Sequence, residues 1–236
     1  MSGPGRVRVY IGLGSNVASD LGDPPAILAR AVQALGALPG VALRGISPLY
    51  RTRPVGVEDQ PDFHNAVVAL DVPGGPSPET GALALLAALK GLERALGRTS
   101  GTRWGPRVAD LDLLVFGRSR VRCGRPAPAE AAMDPHADLD YAGAAGHTHH
   151  PGRARQQAPP PPRLLEVPHP AARDRLFVLA PLADLVPGLV PPGWPETVAT
   201  ARRRRERVEG PDAVMLVGKW SVARGAWEPA GTTRSG

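Results

Sequence analysis

Arg103-Trp104-Gly105-Pro106-Arg107-Val108-Ala109-Asp110-Leu111-Asp112-Leu113-Leu114-Val115-Phe116-Gly117 is the stretch on which the reading of this 236-residue chain turns. Its second half, Ala109 to Phe116, is apolar apart from Asp110 and Asp112 and reads as a strand. Its first half belongs to a basic, Gly-containing loop over Thr99 to Val108. Side chains alternate along a strand, so Asp110 and Asp112 share one face while Leu111 and Leu113 point into the core.

Working outward, Pro78 to Leu96 sets Leu83, Leu86, Leu89, Leu92 and Leu96 at helical spacing, and Gly97 ends that helix. Phe63 to Val72 has the period of a strand, and Val41 to Ser47 reads as another. Arg51 to Pro61 reads as a loop. Pro24 opens a helix through Ala37, at a first-turn position where its missing N–H costs nothing. Arg6 to Gly12 alternates and is rich in β-branched residues, and Leu13-Gly14-Ser15-Asn16 is a turn. The order β-α-β-β-α-β is the split βαβ of a ferredoxin-like α+β fold. It implies an antiparallel sheet with helices on one face.

Downstream the character changes. Between 118 and 163 only Val121, Met133, Leu139 and Tyr141 are large and apolar, and the segment holds Pro159 to Pro162 and the cluster His147, His149, His150. Such a segment buries too little to offset its ordering entropy, so it is expected to be a disordered insertion with solvated histidines. Residues 1–117 and 164–217 then form one folded domain. Leu176 to Val186 reads as a helix within a C-terminal helical extension, Arg202 to Arg205 as its solvated face, and Val214 to Val217 as a short strand. Residues 218–236 are expected to be a flexible tail.

The formal net charge of +6 suits an anionic partner, nucleotide or nucleic acid alike. The single cysteine, Cys123, excludes an internal disulfide and fits a reducing compartment. No signal pattern or membrane-length apolar run is seen, so a soluble cytoplasmic protein is expected.

Two carboxylates one strand repeat apart can bridge Mg²⁺ ions, which take a few carboxylates together with substrate phosphates. Arg103 and Arg107 are placed to pair with phosphate oxygens, and phosphoryl transfer depends on such positioning and neutralisation. An Asp-x-Asp pair alone reads more readily as a solvated strand face, and the Trp and two arginines just before it weigh against that reading. Phe63 and Asn65 share a strand face and suit a flat heterocycle, one ring to stack and one amide to read the edge. The alternative is a core aromatic beside a capping Asn. Val167-Pro168-His169-Pro170, with Arg173, Arg175 and Phe177, could hold a polyphosphate or be a Pro-bounded surface turn.

Taken together, Tyr10 to Asn16, Tyr50-Arg51-Thr52, Asp59 to Leu70, Arg103 to Gly117 and Val167 to Leu182 resemble the 6-hydroxymethyl-7,8-dihydropterin pyrophosphokinase family of folate biosynthesis. The resemblance implies a monomer that uses ATP with two Mg²⁺ ions. It moves the two terminal phosphates together to the hydroxymethyl oxygen of the pterin and releases AMP. By residue, it implies Asp110 and Asp112 as metal ligands. Arg107, His169 and Arg175 form the triphosphate clamp, with Arg98 in the catalytic group. Glu93, Arg103 and Trp104 lie near the nucleotide, Trp104 in a closing loop. Phe63 and Phe177 are the faces of a pterin sandwich, with Thr52, Val55 and Asn65 at its edge. Position 63 departs from the family in being Phe where Tyr is common.

Two other protein classes share parts of this pattern. Other nucleotidyltransferases also pair Gly-Ser with Asp-x-Asp, but close together in sequence, whereas Gly14-Ser15 and Asp110 lie most of a domain apart. An RNA-binding module of this topology stacks bases on several sheet aromatics. Three Phe and three Tyr do not supply them, so no nucleic-acid partner is expected.

Overall fold

The computed structural model describes residues 5–54, 59–98, 105–125 and 164–230. Strand β1 (Arg6–Ser15) leads to helix α1 (Pro24–Gly36), strands β2 (Ala42–Ile46), β3 (Leu49–Thr52) and β4 (Phe63–Pro73), helix α2 (Pro78–Ala95) and strand β5 (Asp110–Phe116). Strands β6 (Val121–Gly124) and β7 (Leu164–Val167) follow. Helices α3 (Leu176–Leu185) and α4 (Val198–Glu209) and strands β8 (Val214–Ser221) and β9 (Ala226–Pro229) complete the described chain.

Local chemistry sets the helix starts. Asp23 caps α1 by accepting from the Ala26 N–H, and Pro24 supplies the first turn. Ser77 caps α2 in the same way through Thr80 N–H, and Thr197 caps α4 through Thr200 N–H. Gly97 closes α2 at φ +91°, a left-handed conformation that costs glycine little.

The main sheet runs β5-β1-β4-β3-β8-β9, with β2 also on β4, and every pair is antiparallel. The α+β class and antiparallel sheet are as read from the sequence. The order of the first five strands is compatible with the ferredoxin-like split βαβ. Helices α1 and α2 share one face, where Ile11, Ile27, Leu35, Val68, Leu89 and Leu111 form a common core. On the opposite face α3 and α4 cover Tyr10, Val67, Ala69 and Leu114 with Leu179, Leu182 and Val198. The C-terminal extension therefore makes a third layer, and it shields only part of that face.

Three sequence-based expectations need correction. Arg51 and Thr52 do not begin a loop; they lie in β3, which is paired on both edges, by β4 and β8. The proposed insertion does not begin at residue 118. Val121–Gly124 is a strand paired residue by residue with Leu164–Val167, and Val121, Leu165 and Val167 are buried against the α2 side. Residues 126–163, including the histidine cluster, lie outside the described residues. The tail is ordered well past Val217: β8 continues to Ser221 and turns into β9. There Trp220 and Trp227 meet edge-to-face at 4.7 Å, and the Trp227 indole N–H donates to the Ser47 carbonyl at 2.9 Å. Two tryptophans in a polar tail were the available signal, since such rings seldom go unused.

Candidate active site

The face that α3 and α4 leave partly open carries the polar residues singled out in the sequence. On β1 the odd residues Val9, Ile11 and Leu13 face α1 and α2, so Gly12 and Gly14 face the other way with Tyr10. The register then lays out two rows across the sheet. Asp110 on β5 lies opposite Gly14 on β1, which lies opposite Asn65 on β4. One repeat along, Asp112 lies opposite Gly12, which lies opposite Val67. Phe63 is opposite Thr52, and the Asn65 side-chain amide donates to Thr52 Oγ1 at 2.8 Å. The two carboxylates and the amide thus share one sheet face, with only a glycine between Asp110 and Asn65.

Around Asp110 the charges form a chain. Arg98 reaches Asp110 Oδ1 at 2.6 Å and Glu93 Oε1 at 2.7 Å with the same nitrogen. Arg107 donates to Asp110 Oδ2. Glu93, 2% exposed, also accepts from Lys90 Nζ at 2.6 Å and from the Leu111 N–H at 2.7 Å. This ties the end of α2 to the strand that carries the aspartates. Burial pushes the Glu93 carboxyl above the usual range against the pull of Lys90, Leu111 N–H and Arg98. Burial also pushes Asp110 up, but Arg107, Arg98 and Lys90 more than reverse it, leaving it below the usual range. Asp112 is raised by burial and by repulsion from Asp110, against the opposing pull of His169, Lys90 and Arg107. A divalent cation held by these two residues would offset the repulsion between them.

His169 is delivered to β5 by its backbone, whose N–H donates to the Leu114 carbonyl at 2.9 Å. Its Nδ1 accepts from the Ala171 N–H at 3.3 Å, so the neutral ring carries its proton on Nε2. Arg175 immediately precedes α3, and its guanidinium carbon lies 5.6 Å from the centroid of the partly buried Phe177 ring. Beside His169 opens a cleft of about 300 Å³, lined by Arg120, Arg122, Glu166, Arg173 and Trp194 among others.

The structure thus joins Asp110, Asp112, Arg98, Arg107 and Glu93, and separately Thr52, Phe63 and Asn65. His169, Arg175 and Phe177 arrive from the β7–α3 segment. Val55, Arg103 and Trp104 lie outside the described residues. Sequence reasoning missed Lys90, although its place three residues before Glu93 on one helix face was readable. It also missed Asn16, which is 2% exposed. Asn16 Oδ1 accepts from the Arg107 N–H at 2.7 Å, and its own N–H donates to the Arg107 carbonyl at 3.0 Å. Its Nδ2 donates to Gln60 Oε1 and to the Pro61 carbonyl, each at 3.0 Å. One side chain therefore pins the arginine loop and the approach to β4 together.

An antiparallel α+β sheet that presents two carboxylates among arginines has the architecture of a metal-assisted phosphoryl-group transferase. The model of the 7,8-dihydro-6-hydroxymethylpterin-pyrophosphokinase family matches residues 10–187, and the chain belongs to that family. It is 36% identical over 194 residues to the 2-amino-4-hydroxy-6-hydroxymethyldihydropteridine pyrophosphokinase of Methylorubrum extorquens, covering 82% of this chain and 90% of that one. It is 37% identical over 182 residues to the Pseudomonas aeruginosa protein of the same name, covering 77% and 82%. Among solved structures, wild-type HPPK-DHPS of Plasmodium falciparum superposes with a TM-score of 0.62 at 11% identity, which speaks for the fold alone. That match takes in 97% of this chain and 51% of the other, so the chain spans about half the length of that longer protein.

Proposed function

We propose that the protein transfers the two terminal phosphates of ATP, as one pyrophosphoryl group, to the hydroxymethyl oxygen of 6-hydroxymethyl-7,8-dihydropterin. AMP and the pterin diphosphate are the products. The observation that carries this reading is the single row in which Asp110, amid Arg98 and Arg107, and Asn65, bonded to Thr52, flank a strand from either side. One end suits a metal-bound polyphosphate and the other the edge of a heterocycle.

Among the described residues no group of three His, Cys, Asp or Glu side chains gathers to enclose a metal ion. A pair of aspartates fits Mg²⁺, which completes its shell with water and substrate phosphates. Two such ions held by Asp110 and Asp112 would neutralise the phosphates and polarise the phosphorus under attack. Arg98 and Arg107 spend their charge on Asp110 when no cation is there. With Asp110 engaged by a cation, the same guanidiniums would be available to phosphate oxygens. Glu93 keeps Arg98 within reach, and the His169 Nε2–H and Arg175 add donors from the β7–α3 side. The cleft beside His169 would take the nucleoside, between Trp194 and the arginines that line it. Phe63 and Phe177 would hold the pterin ring, and the family resemblance adds Val55 at the pterin edge and Arg103 and Trp104 near the nucleotide. The attacking hydroxyl forms its bond to the β-phosphorus as the bond to the oxygen shared with the α-phosphorus breaks. AMP leaves on the nucleoside side. By the family resemblance the catalyst works as a cytoplasmic monomer.

The test is incubation with ATP, Mg²⁺ and the reduced pterin alcohol. Pterin-dependent AMP supports the reading. Free pyrophosphate with a nucleotidylated product, or pterin-dependent ADP, overturns it.

A further inference from the structure

Gly14 is hard to explain from the folded chain by itself. It lies inside β1 with ordinary strand backbone, outside the set of positive-φ glycines, so its conformation is open to any residue. Glycine in a strand interior weakens the strand unless a turn, a bulge or a close approach calls for it. The only irregularity in the pairing of β1 lies at Tyr10/Ile11, well away. Packing does not call for it either. A Cβ built on Gly14 would meet Asn65 Oδ1 at 3.4 Å and Asp110 Cβ at 3.9 Å, both ordinary contacts. At Gly12 the neighbour at 3.4–3.5 Å is the apolar Leu114 side chain, whereas the neighbours of Gly14 are the amide and the aspartate of the site. Gly14 is only partly buried, so the space above it opens toward solvent.

We propose that Gly14 determines specificity for the pterin alcohol: its missing side chain is the gap through which the hydroxymethyl group crosses from Asn65 to the phosphate held at Asp110. This rests on the function proposed above. Asn65 and Asp110 sit on the two strands that flank β1, their backbones about 10 Å apart by strand spacing, while the Asn65 amide oxygen and the Asp110 Cβ lie 3.4 Å and 3.9 Å from where a Gly14 Cβ would stand. The gap between those two groups admits an exocyclic carbon and its oxygen, with the ring edge on the Asn65 side. A methyl group on Gly14 would stand in the middle of it. The protein can tolerate that methyl group, whereas the substrate that crosses the gap cannot.

The experiment compares the wild type with Gly14→Ala. The variant should fold, with a melting temperature equal to or above that of the wild type. It should bind a non-hydrolysable ATP analogue with Mg²⁺ within about twofold of the wild type. Its kcat/KM for the pterin alcohol should fall at least tenfold. Its affinity for 6-hydroxymethylpterin should fall more than its affinity for pterin lacking the 6-substituent. That last ratio reads the gap directly, and a merely structural role would not move it. Unchanged kcat/KM, equal loss for both pterins, or failure to fold each overturns the proposal. Absence of pterin-dependent AMP in the wild type would instead refute the function, while the two-pterin binding ratio would still decide the role of Gly14.

Discussion

Replacing Asn16 with alanine should disable the site without unfolding the protein. The side chain makes three hydrogen bonds, to the Arg107 N–H, the Pro61 carbonyl and Gln60. Truncation leaves at least the first two of those groups short of a partner in a part-buried setting, at about 1 kcal/mol or somewhat more each, so about 2–3 kcal/mol in all. Both partners are loop segments, so the loss should appear as local opening of those loops and not as global unfolding. At about 1.4 kcal/mol per tenfold, kcat/KM should fall by roughly 30- to 150-fold for both substrates. Asn16→Asp divides the effect. It keeps the acceptor for Arg107 but loses the donors to Gln60 and Pro61, whose oxygens then face a carboxylate. The phosphate side should hold, with KM for ATP near the wild-type value. The approach to Phe63 should loosen and raise KM for the pterin. Steady-state kinetics on both substrates, with urea denaturation as the stability control, make the check. If Asn16→Ala stays within about threefold of the wild type, or if Asn16→Asp matches it on both substrates, the coupling argument is wrong.

Three further outcomes are expected. Asp110→Asn and Asp112→Asn should each lower turnover by at least about a hundredfold with folding intact, as measured by AMP release and circular dichroism; near-normal turnover in either would remove the metal assignment. Phe63→Ala and Phe177→Ala should each weaken pterin binding by about 1–3 kcal/mol and spare ATP binding in the free protein, read by calorimetric titration; equal losses for both ligands would mark the rings as core residues. Burial, and then the bond to Asp184 at 2.6 Å, push the Tyr50 hydroxyl up to about 12 from 10.0, so its contribution to stability is present below pH 10 and is lost as pH rises toward 12. Tyr50→Phe should abolish that part of the alkaline stability loss, and a pH–denaturation profile indistinguishable from that of the wild type would contradict the placement.

The legible parts of the fold were those with local signals. β1, β4, β5, α1 and α2 each carry a hydrophobic period long enough to read, and Asp110 and Asp112 announce a shared face by spacing alone. What escaped depends on partners distant in sequence. Leu49–Thr52 is four residues long and becomes a strand because β4 and β8 lie on either side of it. Val121–Gly124, with an Arg and a Gly in four residues, is a strand only because Leu164–Val167 pairs with it. In the site the charged residues could be nominated one by one. The reciprocal bonds of Asn16 with Arg107 join positions 91 residues apart and have no local trace. The bond between Glu93 and Arg98 needed the course of the chain beyond the helix end.

The place of β8 in the sheet bears on how the protein is made. It pairs with β3, the strand that holds Thr52, and it lies beyond residue 187, where the family match ends. As the chain leaves the ribosome, everything from β1 to α3 is available before β8 exists. Until Val214–Ser221 emerges, the outer edge of Leu49–Thr52 offers unpaired amides and carbonyls to any neighbouring strand. At roughly 5–20 residues per second that interval lasts seconds. That edge is closed only late in synthesis, and a chain cut short before residue 214 leaves it without its partner strand.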